Sequence, residues 1–215
     1  MTKPVTPFIV LACSLMLGSA SASAVTVDFT GAGTTNYEVV SQNYGDSTSA
    51  NFTYQSLVGG DNWGLAAAQS SDHALNWAQT QYSGDNAIFS SQQGSKLELR
   101  IDAGAGFELT NVQFNIGSYP NVSLTTAYRI YDGNGNLLDS SAAFAVSSLG
   151  SVWSLASTNI GSVILQLGDN FNVGVTSVTY DVRKTNVSPV PIPAALPLFL
   201  SALGMAGYIG RRKKV

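Results

Sequence analysis

Aromatic and amide side chains occur together in three short stretches of this 215-residue chain, GGDNWG, SSDHALNWAQTQYSGDN and GSYPN. Proteins bind sugars with aromatic rings, which stack on the apolar face of the sugar, and with Asp, Asn and Gln side chains, which hydrogen-bond the hydroxyls. The stretches therefore predict a carbohydrate-binding site. Its candidate ring platforms are Trp63, Trp77, Tyr82 and Tyr119, and its candidate hydroxyl partners are Asp61, Asn62, Asp85 and Asn86. A structural role is the alternative, because tryptophan commonly packs in a core and Asp–Asn pairs commonly form turns.

Catalytic chemistry has few candidate residues in this chain. The only histidine, His73, follows Asp72, but an ordinary polar loop explains both residues, and no G-x-S-x-G motif supplies a nucleophile. The only cysteine, Cys13, lies in the N-terminal apolar stretch, so we expect no zinc site and no other cofactor. We therefore assign no catalytic residue. The alternative is a secreted glycoside hydrolase in which two of the thirteen acidic residues converge.

The stretch YRIYDGNGNLLDS has two interpretations. Its glycines and asparagines supply the positive φ angles of a tight turn, so that the stretch predicts a β-hairpin. Asp132, Asn134 and Asn136 also have the spacing that begins a calcium loop. However, Leu137 follows where such a loop has glycine, and strand residues flank the turn instead of helices. The pattern therefore favours the hairpin over the calcium site.

Residues that could carry a site must be positioned by β-strands, because short apolar–polar alternations recur from Val25 to Arg183 with turn signals between them. In KLELRI, Leu97, Leu99 and Ile101 share one face. In FELTNVQFNIG the alternation changes phase near Asn111, which predicts a bulge. The exception is GLAAAQSSDHALNWAQ, which is compatible with a short helix or an ordered loop. We predict an all-β fold, one β-sandwich of jelly-roll type over residues 25–186.

The charge of this body is acidic. Five basic residues stand against all thirteen acidic residues in the region between the two ends of the chain. Nucleic acids and anionic membrane surfaces are bound by Lys and Arg in numbers, so the balance argues against both classes of partner. It is typical of an exported protein.

The N-terminus has the pattern of a signal peptide over residues 1–24. Lys3 precedes an apolar stretch from Phe8 to Leu17, and the small residues of GSASASA follow. We expect cleavage after Ala24, with Ala22 and Ala24 in the small pockets of a signal peptidase. About ten apolar residues are too few to span a bilayer. A lipid anchor at Cys13 is the alternative, on the basis of a faint similarity to a lipobox in VLACS.

The C-terminus predicts a membrane segment. A proline-rich linker over 187–193 precedes Ala194–Gly210, which carries no charge and is long enough for about 25 Å of helix. The basic tail over 211–215 would hold that end in the cytoplasm. The residues that fix this topology are Arg211, Arg212, Lys213 and Lys214.

This C-terminus resembles the PEP-CTERM class of bacterial sorting signals in its V-P-L-P-A variant. The resemblance covers about 25 residues, with the motif, the apolar helix and the basic cluster in the order of that class. The motif residues are Val190, Pro191, Ile192, Pro193 and Ala194, with Ile192 where the variant has leucine.

The resemblance implies an exported bacterial protein that passes through the secretion machinery and is held briefly in the inner membrane. An exosortase would then cut near the motif and release or transfer the body to the cell surface or extracellular matrix. Such signals accompany exopolysaccharide production, which implies exopolysaccharide as a ligand and a binding or structural role for the body. A permanently tail-anchored surface protein is the alternative.

Overall fold

The computed structural model describes residues 23–58, 63–64, 70–168 and 172–185. The sorting motif, the predicted membrane helix, the basic tail and all of the predicted signal peptide before Ser23 lie outside these residues. Asp61 and Asn62 also lie outside them. Within the described ranges, no helix has the length and apolar character needed to span a membrane.

Thirteen β-strands make up the described part of the chain, and all of their pairings are antiparallel. The strands are β1 (Ser23–Asp28), β2 (Glu38–Val39), β3 (Ala50–Val58), β4 (Ser70–Asp72), β5 (Leu75–Tyr82), β6 (Asp85–Phe89), β7 (Lys96–Ala103), β8 (Phe107–Ser118), β9 (Leu124–Asp132), β10 (Leu137–Val146), β11 (Ser151–Ile160), β12 (Ser162–Gly168) and β13 (Val173–Lys184).

The strands form two sheets that enclose one main core. The first sheet has the order β11-β8-β13-β6-β5-β2, with β1 paired to β13, and the second has the order β10-β9-β12-β7-β3-β4. From β6 to β13 the chain crosses repeatedly between the two sheets. The predicted all-β fold with two sheets is confirmed. The expectation of a short helix or loop at GLAAAQSSDHALNWAQ is wrong from Ser70 onwards, where β4 and the first five residues of β5 lie.

The core follows the predicted alternation of the strands. Leu97, Leu99 and Ile101 are buried in it, as are the inward residues of the last strand, Val175, Val178, Tyr180 and Val182. The predicted bulge also occurs: Leu109 pairs with Val182 and Asn111 with Asp181, so that Thr110 is the extra residue on β8.

Side-chain hydrogen bonds join the two sheets at β11. Trp153 on β11 is buried in the core, with its ring against that of Phe114. Its indole Nε1 donates to the carboxylate of Asp139 on β10 at 2.7 Å and to the hydroxyl of Tyr128 at 3.1 Å. These bonds satisfy a buried indole N–H and tie β11 of the first sheet to the second sheet.

The predicted β9–β10 hairpin is confirmed. The Asp132 carboxylate accepts hydrogen bonds from the backbone N–H of Asn134 and Asn136 and from the Asn136 side chain. These hydrogen bonds hold the pKa of Asp132 below its usual value, and the bond from the Asn136 side chain has the largest effect. The calcium-like spacing is thus used to build the turn.

Candidate functional site

Five aromatic rings form a cluster on the outer face of the first sheet, the face that points away from the second sheet. Alternation along β6 sends Ile88 into the main core and Phe89 to this outer face. The ring centroids are 4.9 Å apart for Trp77 and Tyr119, and 5.8 Å apart for Tyr82 and Phe89. Tyr37 completes what we call the aromatic cluster, with its ring 5.1 Å from Trp77.

Three of the four predicted ring platforms therefore lie together, but two of them are not platforms. Trp77 is only 8% exposed and Tyr82 only 1%, so neither presents an open ring face, and that part of the prediction is wrong. The physical reason is that strand β5 turns both rings onto the outer face and the neighbouring rings then cover them. Tyr119 is half-buried, and Tyr37, which the sequence did not single out, is 53% exposed.

The hairpin between β5 and β6 carries the cluster next to a polar pocket. Ser83 and Gly84 both have positive φ angles, of 53° and 93°, as a two-residue type I′ turn requires. Ser118 holds the turn, because its carbonyl accepts the Ser83 N–H and its own N–H donates to the Ser83 hydroxyl. Tyr82 pairs directly with Asp85 across this turn, so the two side chains lie on the same face.

The pocket has a volume of about 150 Å³ and lies beside this turn. We call it the Asp85 pocket. Its lining includes the polar residues Ser83, Asp85, Asn115, Ser151 and Thr176 and the apolar residues Leu149 and Val152. Both apolar side chains are well exposed.

Asp85 is thus the predicted hydroxyl partner that reaches a pocket. Asn86 is half-buried and, one residue along the strand, points to the opposite side of the sheet. Sequence reasoning missed Asn115, Ser151 and Thr176, because each lies on a different strand and only the sheet pairing brings them to Asp85.

Burial makes the Tyr82 phenol harder to ionise. Desolvation, and then the neighbouring phenols of Tyr37 and Tyr119, raise the pKa of Tyr82 far above its usual value. Tyr82 therefore keeps its phenol uncharged beside the Asp85 pocket over the whole physiological range of pH.

Trp63, the remaining predicted platform, lies apart, on the outer face of the second sheet. The Lys96 ammonium is 4.9 Å from the centroid of its ring, and the Arg129 guanidinium carbon is 5.2 Å from it. The ring also contacts Gly168, where a Cβ would come within 2.5 Å of the indole. Lys96 is only 1% exposed, so Trp63 packs on the sheet at this point.

A buried polar network fixes the Trp63–Gly64 segment to that sheet. The side-chain amide of Gln166 exchanges two hydrogen bonds with the backbone of Gly64, at 3.0 and 3.2 Å. The same amide nitrogen donates to one carboxylate oxygen of Glu98 at 2.6 Å, and Gln55 donates to the other oxygen. We call these residues the Glu98 network.

His73 shows no catalytic geometry with its neighbour. The Asp72 carboxylate accepts the backbone N–H of His73 at 2.8 Å, which is a local turn contact. Across the described ranges, no three His, Cys, Asp or Glu side chains converge as metal ligands.

Comparisons with known proteins return structures alone: no family model and no curated protein matches the chain. A family 4 carbohydrate-binding module shares 9% identity over 61% of this chain and 86% of its own, with a TM-score of 0.31. The CBM22-1 xylan-binding domain from Paenibacillus barcinonensis shares 10% over 80% of this chain and 100% of its own, at 0.31. The family 32 module of C. perfringens NanJ, in complex with galactose, shares 9% identity over 75% of this chain and 93% of its own, with a TM-score of 0.29. TM-scores this low carry no argument about function.

Proposed function

We propose that this chain is an exported, non-catalytic protein that binds a glycan on the outer face of its first sheet. The observation that carries the proposal is the position of the Asp85 pocket, which adjoins the aromatic cluster through the Tyr82–Asp85 pair. Sugar recognition needs an apolar surface and several hydroxyl partners close together, and this region supplies both.

Each part of the region has a defined role in the proposal. The Asp85 carboxylate accepts hydrogen bonds from sugar hydroxyls, and Asn115 contributes its amide oxygen while its nitrogen donates to Ser177 at 2.6 Å. Leu149 and Val152 contact the apolar face of the ring, and Tyr119 and Tyr37 continue the apolar surface beyond it. A volume of about 150 Å³ is well below that of drug-sized sites, which suits a single sugar unit.

The binding test uses the full chain, solubilised in mild detergent, in native gels that contain xylan, galactan or a soluble β-glucan. We expect wild-type retardation by at least one of these. Because a hydrogen bond to a charged group contributes about 1.5–3 kcal/mol, Asp85→Ala should weaken binding about tenfold or more. Asn115→Ala removes a hydrogen bond between neutral groups, worth about 0.5–1.5 kcal/mol, and should weaken binding about two- to tenfold. The matched control is Asn134→Ala, in the exposed β9–β10 turn. Wild-type retardation in both pocket variants, or none in the wild type, would contradict the proposal.

The route to the surface is the second part of the proposal, and it is supported by the sequence of the two ends. Signal peptidase removes residues 1–24, Ala194–Gly210 holds the body in the inner membrane, and an exosortase recognises Val190–Ala194. The glycan met after release is then exopolysaccharide. Intact mass of the exported protein tests this route: retention of Ala194–Val215 would favour the permanent tail anchor instead.

A further inference from the structure

Next to the Asp85 pocket, the outer face of the first sheet carries a regular array of polar side chains. Strand pairing aligns them in rows across β11, β8, β13 and β1. We call the array the amide face; its rows are Val152–Asn115–Ser177–Asp28, Ser154–Gln113–Thr179–Thr26 and Asn111–Asp181. On β8 these residues alternate with Val112, Phe114 and Ile116, which are in the core, so the array faces outward.

Hydrogen bonds along the rows orient several of these side chains. Asn115 donates to Ser177 at 2.6 Å, the hydroxyls of Thr26 and Thr179 are 2.9 Å apart, and Asn111 lies 3.4 Å from the carboxylate of Asp181. Each pair uses only part of its hydrogen-bonding capacity, because hydroxyls, amides and carboxylates can make several bonds. The rows therefore offer both donors and acceptors in fixed positions.

The amide face and the Asp85 pocket are continuous, since Asn115 and Val152 belong to both. Neighbouring strands are about 4.8 Å apart, so the four strands extend the surface about 14 Å from β11 to β1. A polysaccharide whose first sugar unit occupies the Asp85 pocket could place further sugar units along that length.

The charge of the amide face favours one class of polysaccharide. The amide face contains no Lys or Arg, and its charged residues, Asp28 and Asp181, are both acidic, as is Asp85 in the pocket. An acidic polysaccharide would be repelled, whereas hydroxyl groups suit amides, hydroxyls and carboxylates alike.

We infer that the amide face extends the Asp85 pocket into a set of subsites for an uncharged polysaccharide that runs across β11, β8, β13 and β1. The inference rests on the proposed function and adds to it the charge and the length of the ligand. Affinity then grows with the length of the polysaccharide, because each further sugar unit contacts the side chains on another strand of the amide face.

The test measures the affinity of the full chain for xylan and galactan oligomers of one to six units, and for polygalacturonate oligomers of the same lengths. We expect affinity for one neutral series to rise about tenfold or more between one and four units, with no binding of polygalacturonate. The double variant with Gln113→Ala and Thr179→Ala should lose the gain with length and keep the affinity for the single unit. Gln93→Ala, at an exposed glutamine outside the amide face, is the control variant.

The outcomes separate the two proposals. Binding of a neutral series that does not depend on length, or equal binding of the acidic series, would overturn this inference alone. Failure of every oligomer and polymer to bind would overturn the proposed function. Sedimentation of the double variant excludes a further reading: if its loss accompanied a change of oligomeric state, the face would be a contact between copies of this chain and the inference would be wrong.

Discussion

The two outer faces of the sandwich are built from similar residues but differ in accessibility. On the first sheet, Gln113 and its polar neighbours on the amide face remain at least partly open to solvent. On the second sheet, the first two residues of β7 on the polar side of the strand are covered. Lys96 is 1% exposed and Glu98 is 8% exposed, although both belong to the polar side of the strand.

The difference lies in what rests on each face. Trp63–Gly64 packs on the second sheet, and the Glu98 network satisfies the polar groups that become buried there, as buried polar groups require. The polar groups of the Glu98 network therefore stabilise the fold. On the first sheet the only extensive cover in the described ranges is the aromatic cluster, which lies beyond the amide face, so its amides and hydroxyls can serve a ligand.

The largest expected effect concerns the aromatic cluster, which divides the first face into a covered part and an open part. Trp77→Ala removes a buried ring that contacts Tyr37, Tyr82 and Tyr119, so we expect a loss of about 3–5 kcal/mol in the free energy of unfolding. Urea unfolding measures it. Trp77→Phe, which keeps a ring and removes an indole N–H that has no partner, should retain most of the stability.

A glycan-binding defect in Trp77→Ala without a loss of stability would mean that Trp77 is a surface platform after all. That result would restore the interpretation made from the sequence and would contradict the burial of its ring.

The second prediction compares one outer-face glutamine from each sheet. Gln166→Leu leaves the Gly64 backbone groups and one carboxylate oxygen of Glu98 without their partner, so we expect the free energy of unfolding to fall by about 1–3 kcal/mol. Gln113→Leu on the amide face should change stability by no more than about 0.5 kcal/mol. Equal effects in urea unfolding would mean that the two faces do not differ as described.

The third prediction separates the two faces by binding. Trp63→Ala loses two cation–π contacts, and we expect a stability loss of about 1 kcal/mol. Retardation in gels that contain a neutral polysaccharide should not change, because Trp63 lies on the second sheet. Tyr119→Ala is the matched variant on the first face, and it should weaken retardation. The opposite pattern would move the glycan site to Trp63.

Alternation alone predicted the direction in which side chains point, and this part of the sequence interpretation succeeded. Leu97, Leu99 and Ile101 are in the core, and the bulge at Thr110 follows the change of phase near Asn111. Alternation could not predict whether the polar side of a strand is exposed to solvent. Lys96 is buried by Trp63, which lies more than thirty positions earlier in the chain.

The candidate site was predictable only where its residues are neighbours in sequence. Tyr82 and Asp85 flank one tight turn, and both were named from the sequence. Asn115, Ser151 and Thr176 reach the Asp85 pocket through sheet pairings between distant segments, for which a single sequence holds no local signal.

The smallest expected effect is an acid-dependent one on the second face. Burial by itself raises the pKa of Asp102, but hydrogen bonds from Arg100 and Ser162, together with the charge of Arg100, outweigh it and leave the pKa lowered. A carboxylate with a lowered pKa stabilises the fold fully above its unfolded value of about 3.9, and that contribution is lost as the pH falls through the folded value.

Asp102→Asn should therefore lower the free energy of unfolding at pH 7 by less than about 1 kcal/mol, since the ion pair is partly exposed to solvent. The difference from wild type should shrink towards zero as the pH falls from the unfolded value of about 3.9 through the lower folded pKa of Asp102, because both proteins then lack the charge. Urea unfolding across this range measures the difference. Ser162→Ala, which keeps the carboxylate and removes one hydrogen bond, should give a smaller change with the same dependence. A difference that stays constant with pH would mean that packing, and not the charge of Asp102, stabilises this part of the second face.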